Sequence, residues 1–212
     1  MRLLFVITGI GLGHSVRESA IIQEIKKQQQ ETEIIIAGYK NSYRYFKGKF
    51  PCIKIHGHKF PESSFAVSRL KSLLINLPYP IWAYQDKKRL IKLIKEFNPD
   101  KVIVDVQPVG IEAARYCHKP SIAIYNLDLD EWQEFSSSLS FFNKIESNIM
   151  LHYVREAYKK ADKVIIPTIH KAKKQGKYNL VHPILRLMPS QLPSESAIMK
   201  KLKLKKPPIV IM

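Results

Sequence analysis

The stretch Thr8-Gly9-Ile10-Gly11-Leu12-Gly13-His14 constrains this chain more than any other. It follows the apolar run Leu3-Leu4-Phe5-Val6-Ile7 and precedes a helical pattern with Ala20, Ile21 and Ile25 along one face. A strand, a tight glycine turn and a helix in that order form the opening unit of a parallel α/β sheet. Glycines on alternate positions let backbone amides approach an anionic group, and the helix behind them adds its positive end. Histidine is the side-chain type suited to proton exchange near neutral pH, and His14 stands at the lip of the turn. The arrangement implies a site for a phosphate-bearing substrate with a base beside it; a glycine-rich turn with a structural histidine is the alternative. Ser15-Val16-Arg17-Glu18 matches a capping box and predicts a helix starting at Ser15.

Two commoner phosphate loops are not favoured by the residues at this turn. A dinucleotide fingerprint needs a third glycine where His14 stands, and an acidic residue about 20 positions on, where the run Ile34-Ile35-Ile36 ends in Ala37-Gly38. A Walker loop needs Gly-Lys-Ser/Thr, and the chain has His14-Ser15-Val16.

Apolar runs then alternate with helical stretches. Strands are expected over 2–7, 33–37, 52–56, 101–105, 121–125 and 163–166, and helices over 15–29, 41–46, 64–76, 81–97, 108–116 and 141–160. Pro78 and Pro80 are expected to break the two central helices apart, and Asp128-Leu129-Asp130-Glu131-Trp132 to form an acidic loop. The pattern specifies an α/β, Rossmann-like, doubly wound parallel sheet. Its 212 residues suffice for one large domain or one domain and part of another. We assign 1–185 to the domain and 186–206, rich in proline and serine, to a linker. The strand-like 207–212 then begins a second domain whose remainder is absent.

The net charge of +17 implies an anionic partner such as a phosphorylated substrate, a membrane surface or nucleic acid; a lysine-rich solvated surface with no partner is the alternative. No nucleic-acid-binding motif stands out, so nucleic acid is not expected. No apolar run approaches the roughly 20 residues that span a bilayer, and no signal peptide is expected. Cys52 and Cys117 adjoin apolar segments and are expected to be reduced core thiols in a cytoplasmic protein. Phe65, Leu73, Leu74, Leu77, Tyr79 and Trp82, beside Lys87, Lys88 and Arg89, offer an apolar lip and cations to an anionic membrane; ordinary core with a solvated basic face is the alternative.

Four segments carry a resemblance: Gly9 to Arg17, Asp100 to Pro108, Tyr158 to Pro167, and Val181-His182-Pro183-Ile184. In order, they resemble the N-terminal half of GT-B glycosyltransferases, especially the lipid-acceptor N-acetylglucosaminyltransferases of peptidoglycan synthesis and archaeal relatives. The resemblance implies an acceptor-binding half of a hexosyltransferase. Such an enzyme moves N-acetylglucosamine or another hexose from a nucleotide sugar, a UDP-sugar, to a lipid-linked phosphorylated acceptor. The donor would be held by a missing C-terminal domain or a separate subunit, so the chain alone is expected to be inactive. No resident cofactor or metal is implied, and the place would be cytoplasmic, peripheral on the inner face of the cell membrane. A non-catalytic membrane subunit that recruits a donor-binding partner is the rival reading.

The expected site follows. His14 would activate the acceptor hydroxyl or contact its phosphate. Asp105, at the carboxyl end of the fourth strand, would orient the imidazole or cap the next helix. Gly11 and Gly13 would admit a diphosphate, assisted by the amides of Ser15 and Val16, and Arg17 would add a charge-assisted contact or face solvent. The acidic cluster Asp128, Asp130, Glu131 and Glu134 is not read as a metal site.

Overall fold

A computed structural model describes residues 1–59, 74–125, 129–169, 173–187, 189–204 and 206. Among them one sheet of eight strands has the order β3-β2-β1-β4-β5-β6-β8-β7. The strands are β1 (Arg2–Ile7), β2 (Glu33–Gly38), β3 (Cys52–Lys54), β4 (Lys101–Asp105), β5 (Ser121–Ile124), β6 (Lys163–Pro167), β7 (Lys173–Gln175) and β8 (Tyr178–Val181). Every pairing is parallel except β7 with β8. The described residues also form helices α1 (Gly13–Gln28), α2 (Lys40–Phe46), α3 (Tyr79–Phe97), α4 (Pro108–Tyr116), α5 (Leu129–Ser137), α6 (Phe141–Lys160) and, after the last strand, α7 (Glu195–Leu202).

Parallel strands buried on both faces read as unbroken apolar runs, and β1 does so. Leu4 and Val6 enter one core cluster with Leu90, Ile94, Ala113 and Tyr158 of α3, α4 and α6. Leu3, Phe5 and Ile7 enter the other, with Ile22 of α1 and Phe46 of α2. Helices thus cover both faces, the doubly wound arrangement. Because β1 lies between β2 and β4, the strand order reverses there, and ligands of open α/β sheets collect at the carboxyl ends beside such a reversal.

Several expected boundaries move. Helix α1 begins at Gly13, with Leu12 at its N-cap and no side-chain capping bond, so Ser15 is inside the helix and the expected capping box does not form. Pro78 and Pro80 separate the helical 74–76 from α3 as expected, and α3 starts two residues earlier than expected: Pro78 is its N-cap and Pro80 occupies the first turn, where a missing N–H costs nothing. The acidic stretch expected as a loop is helical from Leu129. Of the helix expected over 64–76, only 74–76 fall among the described residues, and these are helical. The strand expected over 207–212 lies outside the described residues. The hairpin β7–β8 was not expected; Gly176, at φ +59, makes its turn. After β8 the chain crosses back over α1, leaving a groove of about 730 Å³ between Ala20 and Ile25 on one side and Leu185 and Leu187 on the other.

Candidate functional site

The register of β1 and β4 places Ile7 beside Asp105, and the Thr8 amide donates to the Asp105 carbonyl at 3.0 Å. The glycine turn therefore rises directly next to the end of β4. Gly9 fits only because it has no side chain: a Cβ there would lie 2.0 Å from the Tyr39 carbonyl oxygen. Gly11 sits at φ +69, a left-handed conformation that glycine adopts freely. Gly11 and Gly13 are exposed, and a Cβ on either would meet nothing within 4 Å, so the turn is open toward solvent. Past Asp105, Val106 has φ +49, an uncommon geometry for a β-branched residue and a point of backbone strain beside the carboxylate.

His14, Arg17 and Asp105 meet where these segments converge. His14 Nδ1 lies 2.9 Å from Asp105 Oδ1, and an Arg17 terminal nitrogen lies 2.7 Å from the same oxygen. That guanidinium nitrogen is also 3.2 Å from His14 Nδ1. A carboxylate only accepts, so Nδ1 carries the proton that it donates to Asp105; Arg17, itself a donor, bonds to Asp105 and not to the ring. The tautomer leaves His14 Nε2 with a free lone pair. The His14 side chain is 19% exposed while Asp105 is fully buried, so the ring is held from behind and reached from in front.

Glu18 completes the set. Its side chain is fully buried, with Oε1 3.4 Å from Arg17 Nε. Glu18 Oε2 and Asp105 Oδ2 are both buried without a bonding partner, an expensive arrangement for two acceptors. A proton on Glu18 resolves it by turning Glu18 into a donor toward Asp105. Burial first, and the negative charge of Asp105 second, push the Glu18 carboxyl well above the usual range. With that proton the interior of the site balances one cation, Arg17, against one anion, Asp105.

The sequence expectations divide accordingly. His14, Arg17 and Asp105 are brought together, with Gly11 and Gly13 at the open mouth. Arg17 is neither solvent-facing nor a free cation at the mouth, because it is buried and bonded to Asp105. The Val16 amide donates to the Leu12 carbonyl and is not offered to a ligand. Ser15 is buried with an unpartnered hydroxyl. The side chains of Asp128, Asp130 and Glu131 lie outside the described residues, and no cluster of three potential metal ligands occurs among the described ones. Cys52 and Cys117 are free and partly buried, and burial pushes both thiols up.

A second imidazole–carboxylate pair escaped the sequence reading. His56 Nδ1 lies 2.7 Å from Asp86 Oδ1, and the backbone amides of His56 and Gly57 also donate to that carboxylate. Asp86, Leu90 and Ile94 form the buried stripe of α3 at spacings of four. A carboxylate on an apolar stripe was the available signal. Of the expected apolar lip, Phe65 and Leu73 lie outside the described residues. Leu74 and Leu77 are more than half exposed, as are the neighbouring Ile81 and Tyr84, whereas Tyr79 is half-buried against His58 and Trp82 turns to stack on His56. No described helix is long and apolar enough to cross a membrane.

Comparison with known proteins gives consistent likenesses. Residues 1–196 match glycosyl transferase family 1. An uncharacterized glycosyltransferase of Methanosarcina mazei is 30% identical over 176 residues, covering 79% of this chain and 43% of the relative. The chain therefore spans less than half the length of that relative. Among solved structures, a UDP-glucosyltransferase from Polygonum tinctorium superposes with a TM-score of 0.60 at 13% identity, over 97% of this chain and 57% of the other. MurG of Acinetobacter baumannii superposes with a TM-score of 0.54 at 14% identity, over 86% and 46%. At such identities the likeness establishes the fold, the Rossmann-like half of a GT-B architecture.

Proposed function

Since the chain belongs to glycosyl transferase family 1, we propose that it is the acceptor-binding half of a GT-B glycosyltransferase, with His14 as the base. The observation that carries this reading is the His14–Asp105 bond at the mouth of the glycine turn. An acceptor hydroxyl at His14 Nε2 gives up its proton as its oxygen attacks the anomeric carbon of a nucleotide sugar. The bond from that carbon to the diphosphate breaks, and the nucleoside diphosphate leaves. Asp105 stabilises the imidazolium formed and keeps the ring in its productive tautomer. The Asp105 charge is itself held in place by Arg17.

The donor in this reading is a UDP-sugar bound by a C-terminal half, and the acceptor is a lipid-linked phosphorylated hydroxyl compound. Support for an anionic acceptor comes from the open Gly11–Gly13 turn at the start of a 16-residue helix and from the net charge of +17. The exposed Leu74, Leu77, Ile81 and Tyr84, next to Lys87 and Lys88, support peripheral contact with an anionic membrane that presents such an acceptor.

The test is His14→Ala in a form carrying its donor half, assayed for sugar transfer from UDP-sugars to polyprenyl diphosphate acceptors. A general base contributes about 10²–10⁴ in rate, so kcat should fall by that range with little change in donor KM. Near-normal turnover removes His14 from the chemistry.

A further inference from the structure

The loop after β3 reads His56-Gly57-His58-Lys59, three basic side chains on four residues. It stands at the same carboxyl end of the sheet as the glycine turn, on the other side of Tyr39. The Tyr39 hydroxyl lies 3.0 Å from Thr8 Oγ1 and accepts from Gln107 Nε2 at 3.2 Å, while the face of its ring lies against Gly57. A Cβ on Gly57 would come within 2.1 Å of that ring. The two histidine-bearing loops are thus two walls built on one buried tyrosine.

Asp86 is 1% exposed and takes bonds from two backbone amides and from the His56 ring. The two amides alone would satisfy a carboxylate that merely staples the loop to α3. The third bond fixes the His56 ring with its proton on Nδ1, leaves Nε2 as its other polar atom, and the ring remains 30% exposed. Trp82 lies parallel to it at 6.1 Å and 5°. The Lys59 ammonium stands 3.8 Å above the Trp82 ring. The His58 imidazole packs edge-on against Tyr79, and burial pushes it down toward the neutral form. Asp86 is engaged by three donors, so among the described residues the accessible charge of this wall is positive. Lys59 adds to Lys54 on β3 and to Arg89 on α3, which reaches across to the Lys54 carbonyl.

We propose that His56 and Lys59, oriented by Asp86 and Trp82, form a second anion-binding subsite, distinct from the glycine turn, that holds a phosphate group of the acceptor. The proposal rests on the acceptor-binding function and adds where a phosphate is gripped. Lys59 supplies a charge-assisted donor to phosphate oxygens, and His56 Nε2 stands as the open polar atom of a ring that Asp86 holds in place. An acceptor held there reaches across Tyr39 to present its hydroxyl at His14.

The test titrates inorganic pyrophosphate into the full 212-residue chain, read by nitrogen-15 shifts of the imidazole rings and by Trp82 fluorescence. Pyrophosphate should move the His56 ring signals and the Trp82 emission. His56→Gln, folded by its circular dichroism, should weaken the affinity about tenfold or more. Asp86→Asn, folded by its circular dichroism, should weaken it as well, because the ring loses its orienting partner. Perturbation of the Gly11–His14 segment alone overturns the subsite while leaving the proposed function untouched. A response to phosphatidylglycerol vesicles without one to pyrophosphate also overturns it, assigning the wall to lipid headgroups. Silence toward both overturns it too, whereas failure of His14→Ala to lose turnover would instead remove the function on which it builds.

Discussion

Replacing Glu18 with glutamine keeps the side-chain volume and a donor facing Asp105 but removes the titration. Glu18 is fully buried, and burial together with the Asp105 charge raises its pKa in the folded chain. The unfolded chain releases that proton near the ordinary glutamate value of 4.5. Above that pH the native state holds one proton more than the unfolded state, so wild-type stability falls as pH rises until the folded-state carboxyl ionises. One proton corresponds to about 1.4 kcal/mol per pH unit. Relative to wild type, Glu18→Gln should gain that amount for each unit of pH above the mid-fours, while Glu18 stays protonated in the native state. Below that window the two proteins should differ by a constant. Urea denaturation of both proteins at half-unit steps from pH 4 to pH 8 measures the gap. Contributions common to both proteins, including those of His14 and Arg17, cancel in the difference. Parallel stability curves across the range would show that no proton is taken up at Glu18, and the charge balance drawn for the site would be wrong.

Two further outcomes are expected. Gly57→Ala combines a left-handed backbone at φ +61 with a methyl group 2.1 Å from the buried Tyr39 ring. It should lose roughly 2–5 kcal/mol, or about 4–20 °C in Tm; a Tm within a degree of wild type contradicts the packing described. In vesicle co-sedimentation the chain should bind phosphatidylglycerol-rich membranes more tightly than neutral ones and release them as salt rises, and equal binding to both refutes an electrostatic contribution.

The parts of the site legible in the sequence are those set by long, regular patterns. The run Leu3–Ile7 announces a doubly buried strand, and a neighbouring β4 then brings Asp105 to the glycine turn, since the strand pair fixes both ends in register. Glu18 was misread because its spacing from Ser15 mimics a local capping motif, whereas its real partners, Arg17 and Asp105, include one 87 positions away in sequence. Arg17 was ambiguous for the same reason: one turn of helix decides between solvent and interior, and tertiary contact decides the turn. Asp86 was hidden inside an otherwise apolar helical stripe whose obvious members, Leu90 and Ile94, needed no polar companion. The β7–β8 hairpin is short and polar, so neither periodicity nor hydrophobicity marks it.

That hairpin also determines how the sheet ends. β7 runs against β8 at the outer margin and carries Lys173 and Lys174, both exposed. A second copy approaching this border to extend the sheet would have to align its own ammonium groups against these, at like-charge repulsion. At this margin of the described sheet, like charge therefore disfavours edge-on addition of a second copy of a molecule already rich in cations.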